Sequence, residues 1–271
     1  MKTRLISAAV LLPIFLVVIY ALPSIVFAIL IALFCAISSF ELLRGTGLVH
    51  HTRLLIYTAV AAALMPIWCY FEMPYAWGML GILAFMIILF TEMMIDHVKI
   101  RLEMLGLCLL AGLLLPYMLS ALVRMEIQRM GNFWVIIPLI LAFLPDSGAY
   151  FAGTFFGRHK LAPVISPKKT VEGVIGGLIV AGVGMLIYGV VVQMFCAREV
   201  NYLYALIYGL AGTVVAVVGD LCFSAIKRQT GIKDYGNLIP GHGGILDRFD
   251  SMILVAPMVE ALLELIPVVV S

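Results

Sequence analysis

Gly173 to Phe195 reads GVIGGLIVAGVGMLIYGVVVQMF, without one charged side chain. As an α-helix rising ~1.5 Å per residue it would be about 34 Å long, enough to cross a hydrocarbon core of ~30 Å. Runs of the same kind recur on both sides of it, near 5–22, 24–43, 54–71, 75–95, 104–123, 133–151, 202–222 and 251–269, about nine in all. Hydrophobic residues make up 64% of the chain and charged residues 12%, against the ~45–50% and ~25% of ordinary globular chains. The sequence predicts an all-α protein, a polytopic helical bundle integral to the membrane.

The opening MKTRLISAAVLLPIFLVVIYALPS puts basic residues before an apolar run, as a signal peptide does, and is read here as a retained first span. With the N-terminus inside, the inner segments carry Lys2, Arg4, Arg44, Arg53, Lys99, Arg101, Arg158, Lys160, Lys168, Lys169, Lys227, Arg228, Lys233 and Arg248. The outer loops keep Arg124, Arg129 and Arg198. Loops rich in lysine and arginine stay cytoplasmic, so the charge bias and a nine-span topology support each other. The C-terminus is then expected outside. Five cysteines sit in or beside spans without C-x-x-C spacing, which suggests neither zinc nor a disulfide framework. No basic run is interleaved with stacking aromatics, so nucleic acid is not an expected partner. Nothing marks a second domain: residues 1–271 read as one membrane domain, with 1–130 mainly scaffold and 131–271 carrying the polar loops and buried carboxylates.

Four of those carboxylates fall at one depth in this topology, near the cytoplasmic face. Asp146 lies toward the inner end of the sixth span, Asp220 toward that of the eighth, and Asp247 and Asp250 open the ninth. A charge at membrane depth costs about 2.5–3.5 kcal/mol on insertion scales, so such groups face one another, water or an ion. Ion pairing of Asp247 with Arg248, or of Asp220 with Lys227, is the simpler alternative. Asp220, Ser224 and Lys227 share one helical stripe at i, i+4, i+7, and Asp247 and Asp250 share a face at i, i+3. Oxygen ligands without thiol or imidazole suit a hard cation such as Mg²⁺, which is commonly held by one or two carboxylates plus substrate phosphates. A phosphate-bearing substrate is the natural expectation.

Two inner loops supply candidates for the phosphate. ISPKKTVEG, Ile165 to Gly173, places Ser166 at an N-cap, Pro167 at the first helical position, and Lys168 and Lys169 in the first turn. A helix N-terminus offers N–H groups to an anion, whereas lysines there oppose the dipole unless an anion is bound. The same lysines also serve as ordinary topology anchors. KRQTGIKDYGNLIPGHGGILDRFD, Lys227 to Asp250, brings charge, glycine and one histidine to the other loop. Gly243 and Gly244 allow close backbone approach or a positive φ, and also make plain turns. His242 is a phosphate contact, an acid or a local hydrogen-bond partner. There is no G-x-x-x-x-G-K-[ST], so a P-loop is absent. Small residues at every fourth position (Ala149, Gly153, Gly157; Gly173, Gly177, Ala181) read as helix packing. Glu260 and Glu264 share a face of the last span without an assigned role. A transporter is the rival from another class, but transporters place polar breaks at the midplane and show repeated halves, and neither is visible.

S-A-I-K-R-x-x-x-x-K-D-x-G-x-x-I-P-G-H-G-G-I-L-D-R-F-D, Ser224 to Asp250, resembles the signature of the phosphatidate cytidylyltransferase (CDP-diacylglycerol synthase) family without departure. PDSGAYFAGTFFGRHKLAPVISPKKTVEG, Pro145 to Gly173, resembles that family's second characteristic stretch. The resemblance implies conversion of CTP and phosphatidate to CDP-diacylglycerol and pyrophosphate, in phospholipid biosynthesis, at a Mg²⁺ site opening to the cytoplasm from the bacterial inner membrane. It implies Asp220 and Asp247 as principal metal ligands with Asp250 and Asp146 close by, K⁺ beside the magnesium, and a homodimer drawing phosphatidate from the inner leaflet. Lys168, Lys169, Lys227 and Arg228 are then expected on phosphates, the Gly243–Gly244 backbone on nucleotide or pyrophosphate, and Ser224 on a phosphate or metal-bound water. Lys233, His242 and Arg248 complete the expected substrate contacts. An isoprenoid-lipid cytidylyltransferase or a lipid kinase is the nearest rival enzyme.

Overall fold

A computed structural model describes residues 13–196, 198–238 and 243–269. A helical stretch over 13–21 is followed by α1 (Ser24–Gly45), α2 (Thr52–Tyr70), α3 (Tyr75–Ile95) and α4 (Leu102–Glu126). After a short turn of helix at Gly131–Trp134 come α5 (Ile136–Phe156), the antiparallel strands β1 (Lys160–Ala162) and β2 (Ser166–Thr170), α6 (Val171–Cys196), α7 (Tyr202–Gln229), α8 (Leu246–Phe249) and α9 (Met252–Leu265). The protein is thus all-α apart from one small hairpin among the described residues. Seven helices in that range are long and apolar enough to cross a membrane: α1 to α4, α5 with its lead-in from Gly131, α6 and α7.

The expected count of nine is not confirmed among the described residues. The predicted first span, 5–22, lies partly outside the described residues. In place of the predicted span 251–269, α9 has 14 residues, about 21 Å of helix against a ~30 Å core. Pro267 explains the early stop, because the residue before proline is pushed out of the helical region; Ile266 has φ −140° and ψ 69°. Beyond it Val269 forms an antiparallel bridge with Val200 while Asn201 N–H donates to the Val268 carbonyl at 2.8 Å. Residue 269 therefore lies on the same side as the loop before α7.

The chain packs as two compact units. The first takes the residues up to Ile127 together with Gln229–Phe249. In it α1 lies along α2 and α4, and α8 returns to α1, where the Phe249 ring packs at a tilt against Phe34 with ring centroids 4.9 Å apart. The middle of α4 widens into a π-helical turn at Leu110–Leu114. Pro116 follows it and can give no N–H to the turn before. α3 leaves Trp77, Ile87 and Met94 exposed, the apolar surface expected of a helix facing lipid.

The second unit takes Gln128–Arg228 and the residues from Asp250 onward. Its centre is the α5–α6 pair. The small residues act as the sequence suggests: a Cβ on Gly173 in α6 would lie 3.0 Å from the Ala149 carbonyl in α5, and at a crossing the sequence did not single out, one on Gly209 in α7 would lie 2.8 Å from Cα of Gly182 in α6. No larger side chain fits at either crossing without parting the helices. The hairpin rests on α5 and α6, and α9 packs on α5.

Candidate active site

In the second unit, the lysine loop differs from its sequence reading. Ser166 is not an N-cap, and Lys168 and Lys169 are not in a helix; all three lie on β2, and α6 begins only at Val171. The cap is Thr170, whose Oγ1 accepts the Gly173 N–H at 3.1 Å. Two further contacts hold the preceding chain extended. Val171 N–H donates to the His159 carbonyl at 2.9 Å. The Glu172 carboxylate reaches back to the N–H groups of Arg158 (3.1 Å) and His159 (3.2 Å) and to Nδ1 of His159 (2.6 Å). On a strand successive side chains take opposite faces. Lys168 accordingly points to solvent, while Lys169 turns inward.

Lys169 ends against Asp220 on α7: its buried Nζ is ion-paired with Oδ2 of that carboxylate. One turn along α7, the Ser224 hydroxyl donates to Asp220 Oδ1 at 3.2 Å, as the i, i+4 stripe anticipates. Lys227 is buried on the next turn, and exposed Arg228 gives its Nε–H to the Ile165 carbonyl at 3.2 Å, fastening the hairpin to the end of α7. Lys168, Lys169 and Thr170 line a cavity of about 150 Å³ together with Asp146, Tyr150 and Thr213. Pro145 breaks the helical hydrogen bonding of α5 just before Asp146. Asp250 is buried, and its Oδ1 accepts the Ser251 N–H at 2.7 Å. The turn at Asp250 lies over α7 beside Gly219, where an added Cβ would come 3.0 Å from the Asp250 carbonyl. The second unit thus contains Asp146, Asp220, Asp250, Ser224, Lys168, Lys169, Lys227 and Arg228.

Asp247 belongs to the first unit and is buried at the start of α8. Its Oδ2 accepts the Tyr235 N–H at 2.8 Å and the Gly244 N–H at 3.0 Å. Gly243 has φ +83°, and a Cβ there would lie 2.8 Å from Asp247 Oδ2. Gly243 therefore makes room for a carboxylate of the protein itself, and the Gly244 N–H is already engaged by it. Lys233 and Arg248 are exposed in this unit, and His242 lies outside the described residues.

The residue that sequence reasoning overlooked is Glu41. It sits near the end of α1, in the part taken as scaffold, and is buried. Oε1 accepts the Ile245 N–H at 3.1 Å and Oε2 the Leu246 N–H at 2.8 Å. Its only signal in the sequence is a carboxylate inside an apolar run, which by itself calls for a partner without naming one.

The donor chemistry fits a hard divalent cation. Asp220 already holds a cationic group, the Lys169 ammonium, and a hydroxyl stands beside it. Within either unit no three His, Cys, Asp or Glu side chains gather among the described residues.

The profile of the cytidylyltransferase family matches residues 2–266. A Pseudomonas aeruginosa protein named phosphatidate cytidylyltransferase is 35% identical over 270 residues, 97% of each chain. Proteins of the same name from Bacillus subtilis (41% over 140 residues) and Staphylococcus haemolyticus (43% over 133 residues) align with 52% and 49% of this chain. Those alignments span about half the length of these relatives, 51% and 50%. The resemblance carried by Ser224–Asp250 and Pro145–Gly173 is borne out over almost the whole sequence, and the chain belongs to the cytidylyltransferase family.

Proposed function

We propose that the protein joins CTP to phosphatidate, giving CDP-diacylglycerol and pyrophosphate for phospholipid biosynthesis. The observation that carries this reading is the half-buried Lys169–Asp220 pair beside a cavity that also presents Lys168 and Asp146. It sets cations suited to phosphate and a carboxylate suited to a metal side by side. In the reaction a phosphate oxygen of phosphatidate bonds to the α-phosphorus of CTP, the α–β bridging P–O bond breaks, and pyrophosphate leaves with the electron pair. The nucleophile is already anionic near neutral pH, so no strong general base is needed. Charge neutralisation and alignment are the main requirements. Lys168, Lys169, Lys227 and Arg228 meet phosphate oxygens, with Lys233, His242 and Arg248 as further substrate contacts. The Gly243–Gly244 segment lies toward the nucleotide, and Ser224 keeps the Asp220 carboxylate oriented. Asp220 and Asp247 would hold Mg²⁺, with Asp250 and Asp146 as further candidate ligands; when bound it would neutralise charge on the triphosphate. K⁺ as a second cation, a homodimer, a site facing the cytoplasm and residence in the bacterial inner membrane belong to the same reading.

The test is pyrophosphate release from CTP by purified protein in mixed micelles. Phosphatidate should support it, Mg²⁺ should be required, and Asp220→Asn and Asp247→Asn should each remove most turnover, while Glu264→Gln changes little. Faster turnover with an isoprenoid phosphate than with phosphatidate would replace the lipid substrate. Near-normal rates for Asp247→Asn at saturating Mg²⁺ would remove it from the metal site.

A further inference from the structure

We infer that Glu41 is a positioning residue for Asp247: a carboxylate on α1 that sets the geometry of the polar segment more than two hundred residues downstream. This rests on the reading of Asp247 given above. The opening of α8 leaves N–H groups without helical partners, and Glu41 takes two of them in parallel, Ile245 on Oε1 at 3.1 Å and Leu246 on Oε2 at 2.8 Å. Two charge-assisted bonds to one planar group fix both position and tilt of the backbone. Asp247 is the next residue.

The surrounding chain is shaped around the same carboxylate. A Cβ on Gly236 would run into Oε1 of Glu41, and a Cβ on Gly244 into Oε2. Both glycines leave the space that Glu41 fills. Gly45, one turn beyond Glu41 on α1, plays the reverse part: a Cβ there would lie 2.8 Å from the Tyr235 carbonyl. Tyr235 and Gly244 are the residues whose N–H groups hold Asp247 Oδ2, at 2.8 and 3.0 Å. The last turn of α1 therefore seats both backbone donors of Asp247 and the start of its helix. Glu41 touches no reacting atom in this scheme; it acts through Asp247.

The test joins kinetics to hydrogen exchange on the full chain in micelles. Glu41→Gln keeps size but puts an NH₂ against one of the two backbone donors. Exchange of the 233–249 peptides should rise at least tenfold, with α2 and α5 peptides unchanged. kcat should fall at least tenfold with KM for CTP within threefold, and the Mg²⁺ concentration for half-maximal rate should increase. Glu41→Asp should recover part of both effects. Gly236→Ala, which displaces the carboxylate without touching it chemically, should reproduce the change, and its penalty should vanish in a Glu41→Ala background. Unchanged exchange and kcat in Glu41→Gln would overturn the inference. So would exchange rising equally in every helix, which would make Glu41 a general stability residue. If the unaltered protein fails to turn over CTP with phosphatidate, the functional reading falls, while the exchange arm still reports on the Glu41 contacts.

Discussion

Lys169 and Asp220 balance each other's charge in a place where water does little of that work. Their side chains are 21% and 25% exposed, so breaking the pair should cost about 1–3 kcal/mol, below the ~3–5 of a fully buried pair. Asp220→Asn strands the ammonium, and Lys169→Gln strands the carboxylate. The double variant Asp220→Asn with Lys169→Gln strands neither and should regain at least half of the lost stability, as thermal unfolding in detergent would show. Turnover should not return with it, because both protein charges proposed to meet substrate and metal are gone; a double variant with restored activity would reduce the pair to a structural role. Lys168 is exposed and makes a cleaner probe of phosphate binding. Lys168→Gln should leave stability alone and lower kcat/KM by about tenfold, the worth of one charge-assisted contact of ~1.5–3 kcal/mol. At this scale the sequence was readable wherever partners lie within a helical turn or two. Asp220 and Ser224 were such a pair; Lys169 with Asp220 was not.

Among the elements, the hairpin is where local rules misled. Ser-Pro-Lys-Lys has the spacing of a helix start, yet β2 runs through it because Thr170 and Glu172 offer stronger ties three residues later. Thr170 caps α6, and Glu172 binds the chain entering β1. Thr170→Ala should lower stability by about 1 kcal/mol and Thr170→Ser much less, by the ordinary worth of an N-cap. Glu172→Ala should fray the hairpin and raise KM for substrate with little change in global unfolding, measured by steady-state kinetics beside thermal melts. Equal melting losses at both positions would mean that the hairpin and α6 unfold as one. Proline decides the other mismatch. Pro267 ends α9 at Leu265, and hydropathy averages across such a stop without seeing it.

For the whole molecule, the proposed orientation has a direct test. After replacement of the native cysteines, Lys168→Cys and Lys233→Cys should react with impermeant thiol reagents only from the cytoplasmic side. Arg198→Cys, in the loop before α7 whose Val200 bridges to Val269, should react only from the opposite side. Labelling of Lys168→Cys from outside would invert the topology and separate the lysine loop from cytosolic CTP. What the sequence by itself determined is the membrane-spanning, all-α class and the two polar segments that carry chemistry. Hydropathy, run length and the spacing of charges along a helix are properties of contiguous chain, and the membrane acts on them directly. Only the tertiary structure decided which groups those segments meet. Lys169 finds Asp220 because α7 passes beneath the hairpin, and Ile245 finds Glu41 across 204 residues because α8 returns to α1. A buried charge must have a partner, but which partner depends on how distant helices pack, and that is written in no single stretch of the chain.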